Sequence, residues 1–252
     1  MRRREFLGVL GGAAAGLLGN SAWAAETRMA LVIGNSAYQH FPALRTPVQD
    51  ASAIGGLLSR AGFAVTSAAN VPLADMRNRM RQFATAFASR PDTVALVFYA
   101  GHGIQVDSEY YLLPVDARLR GRLDLRGALP LSELMKALPT GSNRMLMVIL
   151  DSSRSNPFAS QRGPVRGVVD APPGTIIAYA TTPGEQVIES QGPNSFYTTA
   201  LLEAMKEPGL AIELVLKKVR VRVQELSGRR QLTWESSSHR RNFSFFAAPS
   251  GR

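Results

Sequence analysis

Cysteine is absent from all 252 residues. That excludes disulfides, thiolate metal sites, iron–sulfur clusters, a lipid-anchoring cysteine and a thiol nucleophile. Histidine is scarce: His40, His102 and His239 are the only three, none at close ligand spacing, so no zinc site is expected. Lysine numbers four against 25 arginines, and basic residues outnumber acidic ones 29 to 19, a net charge of +10. No internal repeat appears. With 45% hydrophobic and 19% charged residues, the composition is globular and excludes disordered, collagen-like and coiled-coil chains. The length suits one domain with an ample core.

Residues 1–24 read as an export segment. Arg2, Arg3 and Arg4 lead into an apolar run from Phe6 to Leu18, and Ala22-Trp23-Ala24 fits a small-x-small cleavage site before Ala25. The run is too short to span a bilayer. Arg3-Arg4-Glu5-Phe6-Leu7 resembles a twin-arginine signal; an ordinary secretory signal or an uncleaved anchor are the alternatives. The expected location is periplasmic or secreted. Without this segment the balance is still +8. Export and the lack of an aromatic ladder among the scattered arginines argue against nucleic acid. Solvated helix faces and loops account for most of the charge. Weak attraction to an anionic membrane surface stays open.

The rest alternates strands and helices. Met29–Ile33, Phe63–Ser67, Val94–Tyr99, Met145–Leu150 and Thr175–Ala180 are apolar runs of strand length, and Phe243–Phe246 is read as a closing strand. Ile104–Val106 and Tyr110–Leu113 flank Asp107-Ser108 as a hairpin. Helical spacing covers 48–61, 76–87, 131–138, 197–206 and 212–226. Residues 155–174, rich in Pro, Gly and Arg, read as a surface loop. Buried strands separated by helices predict an α/β fold: a mainly parallel sheet of six strands with helices on both faces.

Two strand ends carry polar residues. His102 lies between Gly101 and Gly103 after the third strand, and Asp151-Ser152-Ser153-Arg154 follows the fourth. Each alone is weak: turn histidines are common, and Asp-Ser-Ser is a good helix cap. On neighbouring parallel strands they would face one crevice and begin a nucleophile–base pair.

These segments resemble the caspase-like peptidases, peptidase family C14, in their bacterial metacaspase-like branch. Residues 28–38 (RMALVIGNSAY) are similar to the family's opening strand, and 44–51 (LRTPVQDA) to its Asn-Asp-Ala helix start. Phe98-Tyr99-Ala100-Gly101-His102-Gly103 looks like the catalytic-histidine motif. Residues 149–158 (ILDSSRSNPF) match the nucleophile motif, whose usual form is Asp-Ala-Cys-Arg-Asn-Asn-Pro. The resemblance covers roughly residues 28–246. It implies a caspase-like three-layer sandwich over 25–252, with a large-subunit-like part to about 154, a loop 155–174 and a small-subunit-like part 175–246. It also implies His102 as general base, the N–H groups of Gly103 and Ser153 as oxyanion donors, and Asp50 and Asp151 as the acidic floor of a pocket for Arg or Lys. The simpler reading of Asp50 is a helix-start carboxylate. No cofactor or metal is called for, with calcium dependence left open.

The departure lies at the nucleophile, where the family's cysteine falls on Ser153. A hydroxyl is far less acidic than a thiol and must lose its proton during attack, so serine enzymes hold the base with a third group. No third member is visible in the sequence. Oxygen is also smaller than sulfur, which lengthens the attack distance in a site shaped for a thiol. Three readings follow: a pseudopeptidase binding basic peptide segments or a partner, a Ser-His hydrolase acting after Arg or Lys through Ser153, or a scaffold whose old site is irrelevant.

Overall fold

The computed structural model describes residues 27–139, 144–158 and 170–249. The expected export segment, 1–24, and residues 159–169 of the expected loop lie outside the described residues.

The elements run β1 (Arg28–Gly34), α1 (Pro47–Arg60), β2 (Ala64–Ala69), α2 (Leu73–Ala88), β3 (Val94–Ala100), β4 (Gly103–Val106), β5 (Glu109–Leu112), β6 (Leu129–Pro130), α3 (Leu131–Ala137), β7 (Met145–Asp151), β8 (Thr175–Tyr179), α4 (Phe196–Ala204), α5 (Ile212–Leu226) and β9 (Trp234–Ser237). A main sheet has the order β2-β1-β3-β7-β8-β9. All its pairings are parallel except β8–β9. A small antiparallel sheet, β4-β5-β6, stands beside it.

Strand alternation builds the layers. Ala30, Val32, Leu96, Phe98, Met147 and Ile149 face α1, α4 and α5, where Ile54, Leu57, Leu201, Val215 and Val219 complete one buried cluster. Met29, Leu31, Ile33, Val97, Val148 and Leu150 face the other way and pack with Met76, Phe83 and Phe87 of α2 and Leu134 of α3. With both faces covered, β3 and β7 are buried along their whole length, which explains their unbroken apolar sequence. Among the described residues no helix is long and apolar enough to cross a membrane.

One expected strand is corrected. Residues 243–246 are irregular, and the closing strand is β9 instead. Phe243 and Phe245 are buried, but as plugs against Phe63, with ring centroids 6.3 Å apart in both pairs. Their alternation imitates a strand, while Trp234-Glu235-Ser236-Ser237 has the half-exposed pattern of a sheet edge and gives little hydrophobic signal.

Gly34 fixes the seat of α1. A Cβ there would lie 2.8 Å from Ala51 Cβ and 2.9 Å from the Pro47 carbonyl carbon. Gly34→Ala is therefore expected to destabilise the protein by about 1–3 kcal/mol through overpacking. Urea unfolding checks this, and an unchanged midpoint would show that α1 can shift at no cost.

Candidate functional site

The parallel register of β3 and β7 sets Ala100 opposite Asp151. His102 and Ser153 each lie two residues farther on, past the carboxyl ends of strands that neighbour one another at about 4.8 Å. Both line a cavity of about 430 Å³, together with Gly103, Asp50 and Asp151. The structure thus gathers every residue singled out in the sequence into one cleft.

His102 is held from three sides. Its backbone N–H donates to Tyr38 Oη at 2.7 Å, Tyr99 Oη donates to its carbonyl at 2.8 Å, and the Tyr38 ring meets the imidazole edge-on at 4.5 Å. The group behind the ring is a backbone carbonyl, which the sequence does not reveal. His102 Nε2 lies 2.8 Å from Pro42 O. A carbonyl only accepts, so Nε2 carries the proton and Nδ1 is the basic nitrogen of the neutral ring. Burial lowers the pKa of His102, opposed by the Pro42 bond and by the charge of Glu189. The ring is therefore neutral at pH 7, and burial makes it a weaker base.

The β4–β5 ladder orients the expected oxyanion donor. Leu113 N–H bonds His102 O at 3.1 Å, which makes the His102–Leu113 pair hydrogen-bonded and the next pair, Gly103–Leu112, non-hydrogen-bonded. The Gly103 N–H consequently turns away from β5, to the side where Gln105 N–H reaches Ser155 O at 3.1 Å. That side holds the Ser153 turn. Glycine is required here, because a Cβ would collide with the Tyr110 hydroxyl and come within 3.0 Å of Ser152 Oγ.

Ser153 follows a firmly anchored turn. Tyr110 Oη bonds Ser152 Oγ and lies 3.1 Å from Ser153 O. Arg154 is fully buried, with its guanidinium 4.0 Å over the Tyr179 ring and its Nε donating to Gln105 Oε1 at 2.9 Å. Among the described residues, the Ser153 hydroxyl makes one hydrogen bond, accepting from Val187 N–H at 3.1 Å, and none joins it to His102.

Asp50 and Asp151 are 1% and 5% exposed. Asp50 sits in the first turn of α1 and accepts Asn194 Nδ2 at 2.9 Å and Ser195 N–H at 3.0 Å. Asp151 Oδ2 accepts Ser195 Oγ at 2.5 Å and Thr198 Oγ1 at 2.8 Å. Burial raises the pKa of Asp50, against the Thr46, Asn194 and Ser195 bonds and the Arg45 charge. Burial and then the Asp50 charge push Asp151 up to about 7, despite its Ser195 and Thr198 bonds. A like charge beside each acid and its burial both disfavour ionising the pair, and a cation placed between them would have the opposite effect. Among the described residues no group of three His, Asp or Glu could hold a metal.

Pro42, Ser195, Thr198, Asn194 and Val187 are site residues that the sequence reading missed. Two of them act through backbone atoms and carry no sequence signal. Ser195 had one: a serine directly before a helical run is an N-cap, and its hydroxyl does accept Thr198 N–H at 2.8 Å.

Asp151 makes a stability prediction. Its acid is protonated in both states below about pH 4. Between there and its folded value near 7 the unfolded chain gives up the proton first, so stability falls as pH rises through about 7. Asp151→Asn removes that loss. The variant is expected to exceed the natural protein by about 2–4 kcal/mol at pH 8, a gap that closes towards pH 4. Urea unfolding at the two pH values measures it, and an equal gap at both would rule out the titration as the cause.

A family model described as the caspase domain, peptidase C14, matches residues 27–244. The Homo sapiens protein named mucosa-associated lymphoid tissue lymphoma translocation protein 1 is 26% identical over 167 residues, 66% of this chain and 20% of that protein. Its Mus musculus homolog is 25% identical over the same shares. The chain thus spans about a fifth of the length of these curated relatives. A crystal structure of caspase-1 from Spodoptera frugiperda superposes with a TM-score of 0.67 at 18% identity, covering 90% of this chain and 93% of that one, a likeness of fold.

Proposed function

The chain belongs to the caspase-domain family, peptidase C14, and from that premise we propose that it is an exported pseudopeptidase that binds basic peptide segments without cutting them. Its main support is the contrast between pocket and nucleophile. Two buried carboxylates line the cleft beside His102, while the Ser153 hydroxyl accepts from Val187 N–H and is not bonded to the base. A bound Arg or Lys side chain would neutralise the pair. An attacking serine would have to pass its proton to a ring whose charged form is disfavoured by burial.

A Ser-His hydrolase acting after Arg or Lys is the second reading. The Pro42 carbonyl favours it, since it fixes the imidazole tautomer that a serine requires. Catalytic geometry also tightens when substrate binds. Against it, a carbonyl dipole stabilises an imidazolium less than a carboxylate does.

The protein without residues 1–24 is expected to leave Arg- and Lys-ended peptides uncut, and Ser153→Cys to cleave them measurably. If the natural protein cleaves and Ser153→Ala abolishes it, the hydrolase reading replaces this one. If Ser153→Cys also stays silent, the site has lost more than its nucleophile. Asp50→Ala separates pocket from helix start: peptide affinity should fall by about 2–5 kcal/mol for a desolvated charge pair. Calorimetry reads this directly, and loss of stability with unchanged affinity would refute the pocket.

A further inference from the structure

Among the described residues, Ser195 is the one that donates to both buried carboxylates. Its N–H reaches Asp50 Oδ1 at 3.0 Å, and its hydroxyl reaches Asp151 Oδ2 at 2.5 Å while accepting the N–H of Thr198. It is 5% exposed and stands at the N-cap of α4, where the helix dipole also favours anions. We propose that Ser195 is a positioning and specificity residue of the acid pocket, holding Asp50 and Asp151 so that both are ionised together when a basic side chain enters.

The chemistry follows from what two anions need. A carboxylate that accepts hydrogen bonds in its charged form ionises more readily, and a like charge beside it has the opposite effect. Both side-chain donors to Asp151 converge on Oδ2, from Ser195 and Thr198. Removing the serine hydroxyl halves that support and leaves the repulsion from Asp50. Among the described residues, the charged and titratable groups acting on the pair are the two acids themselves, Arg45 from the loop before α1, whose guanidinium bonds the Ser190 carbonyl, and Tyr197 from α4, which feels the Asp151 charge. Arg45 lowers the pKa of Asp50 but is exposed and tied to the rim, so it screens rather than neutralises. Discrimination between a cation and a neutral isostere then depends on keeping Asp151 ionised, which the Ser195 hydroxyl does.

This inference rests on the reading of the cleft as a pocket for basic side chains, yet half of its test needs no ligand. In the chain without residues 1–24, the Asp151 carboxyl is followed by carbon-13 NMR across pH 4–9. Ser195→Ala is expected to raise its midpoint by about one pH unit, a tenfold change in proton affinity. Ser195→Thr, which keeps a hydroxyl, should stay within about 0.3 of the natural value. Loss of the cap would weaken the helix without moving this titration. Should Ser195→Ala fail to fold, Ser195→Gly serves, because glycine caps nearly as well and has no hydroxyl. The second half compares an arginine-ended tripeptide amide with its citrulline isostere. The preference for arginine at pH 7 should fall about fivefold in Ser195→Ala or Ser195→Gly and return in Ser195→Thr, with the rise of affinity with pH displaced upward. An Asp151 midpoint unmoved in both hydroxyl-less variants overturns the proposal. A midpoint that moves as expected in a protein binding neither peptide supports the positioning role and overturns the pocket reading.

Discussion

The in-register pairing of β3 with β7 is the constraint on which the site depends. It brings Ala100 level with Asp151. Two short continuations of the chain then set His102 and Ser153 over one crevice. A slip of one residue would turn each side chain to the opposite face of the sheet, moving Asp151 from α4 towards α2. The two buried clusters make such a slip prohibitive, because each strand sends alternate apolar residues into a different helix layer. Core packing therefore does more than hold the molecule together: it sets the relative height of base, hydroxyl and acid.

The acid pair is a different kind of feature. Hydrophobic burial stabilises the layers at about 25 cal/mol per Å² and needs no carboxylate at the sheet edge. Burying even one carboxylate costs several kcal/mol unless donors surround it, and a second raises the cost. The α4 N-terminus offsets part of it through Ser195 N–H, Ser195 Oγ and Thr198 Oγ1. What remains unsatisfied appears as the raised pKa of Asp151. On the proposed reading, a ligand carrying the opposite charge relieves this tension.

How far the sequence reveals this depends on where each signal resides. The sheet was legible because β1, β3, β7 and β8 are buried, largely apolar runs of strand length. The edge was not. β9 is half-exposed and polar, while Phe243 and Phe245 alternate like a strand but act as plugs on Phe63. In the cleft, the strand ends drew attention through distinctive side chains, His102 between glycines and Asp151 and Ser153 after an apolar strand, whereas Asp50 was singled out only by the family resemblance. Groups that work through main-chain atoms left no trace. The Pro42 carbonyl behind His102 and the Val187 N–H on Ser153 belong to loops whose path follows from tertiary packing alone.

On the proposed reading, a hydroxyl at Ser153 in place of a thiol separates two properties that share one cleft. Binding a basic side chain needs the acids, their donors and an open mouth, none of which involves the nucleophile. Cutting needs a proton to leave Ser153, and it must reach His102 Nδ1. Two features oppose that transfer: burial disfavours the imidazolium, and the group behind the ring is a carbonyl dipole rather than an anion. Glu189 is the carboxylate whose charge acts on His102, but it is exposed, so water weakens its help. A thiol meets the same ring with a far smaller deficit, because its own pKa of about 8.5 lies near neutrality. On the proposed reading, a pocket for Arg or Lys and a failing proton transfer are compatible in one cleft, because the first depends on the carboxylates and their donors and the second on Ser153 and His102.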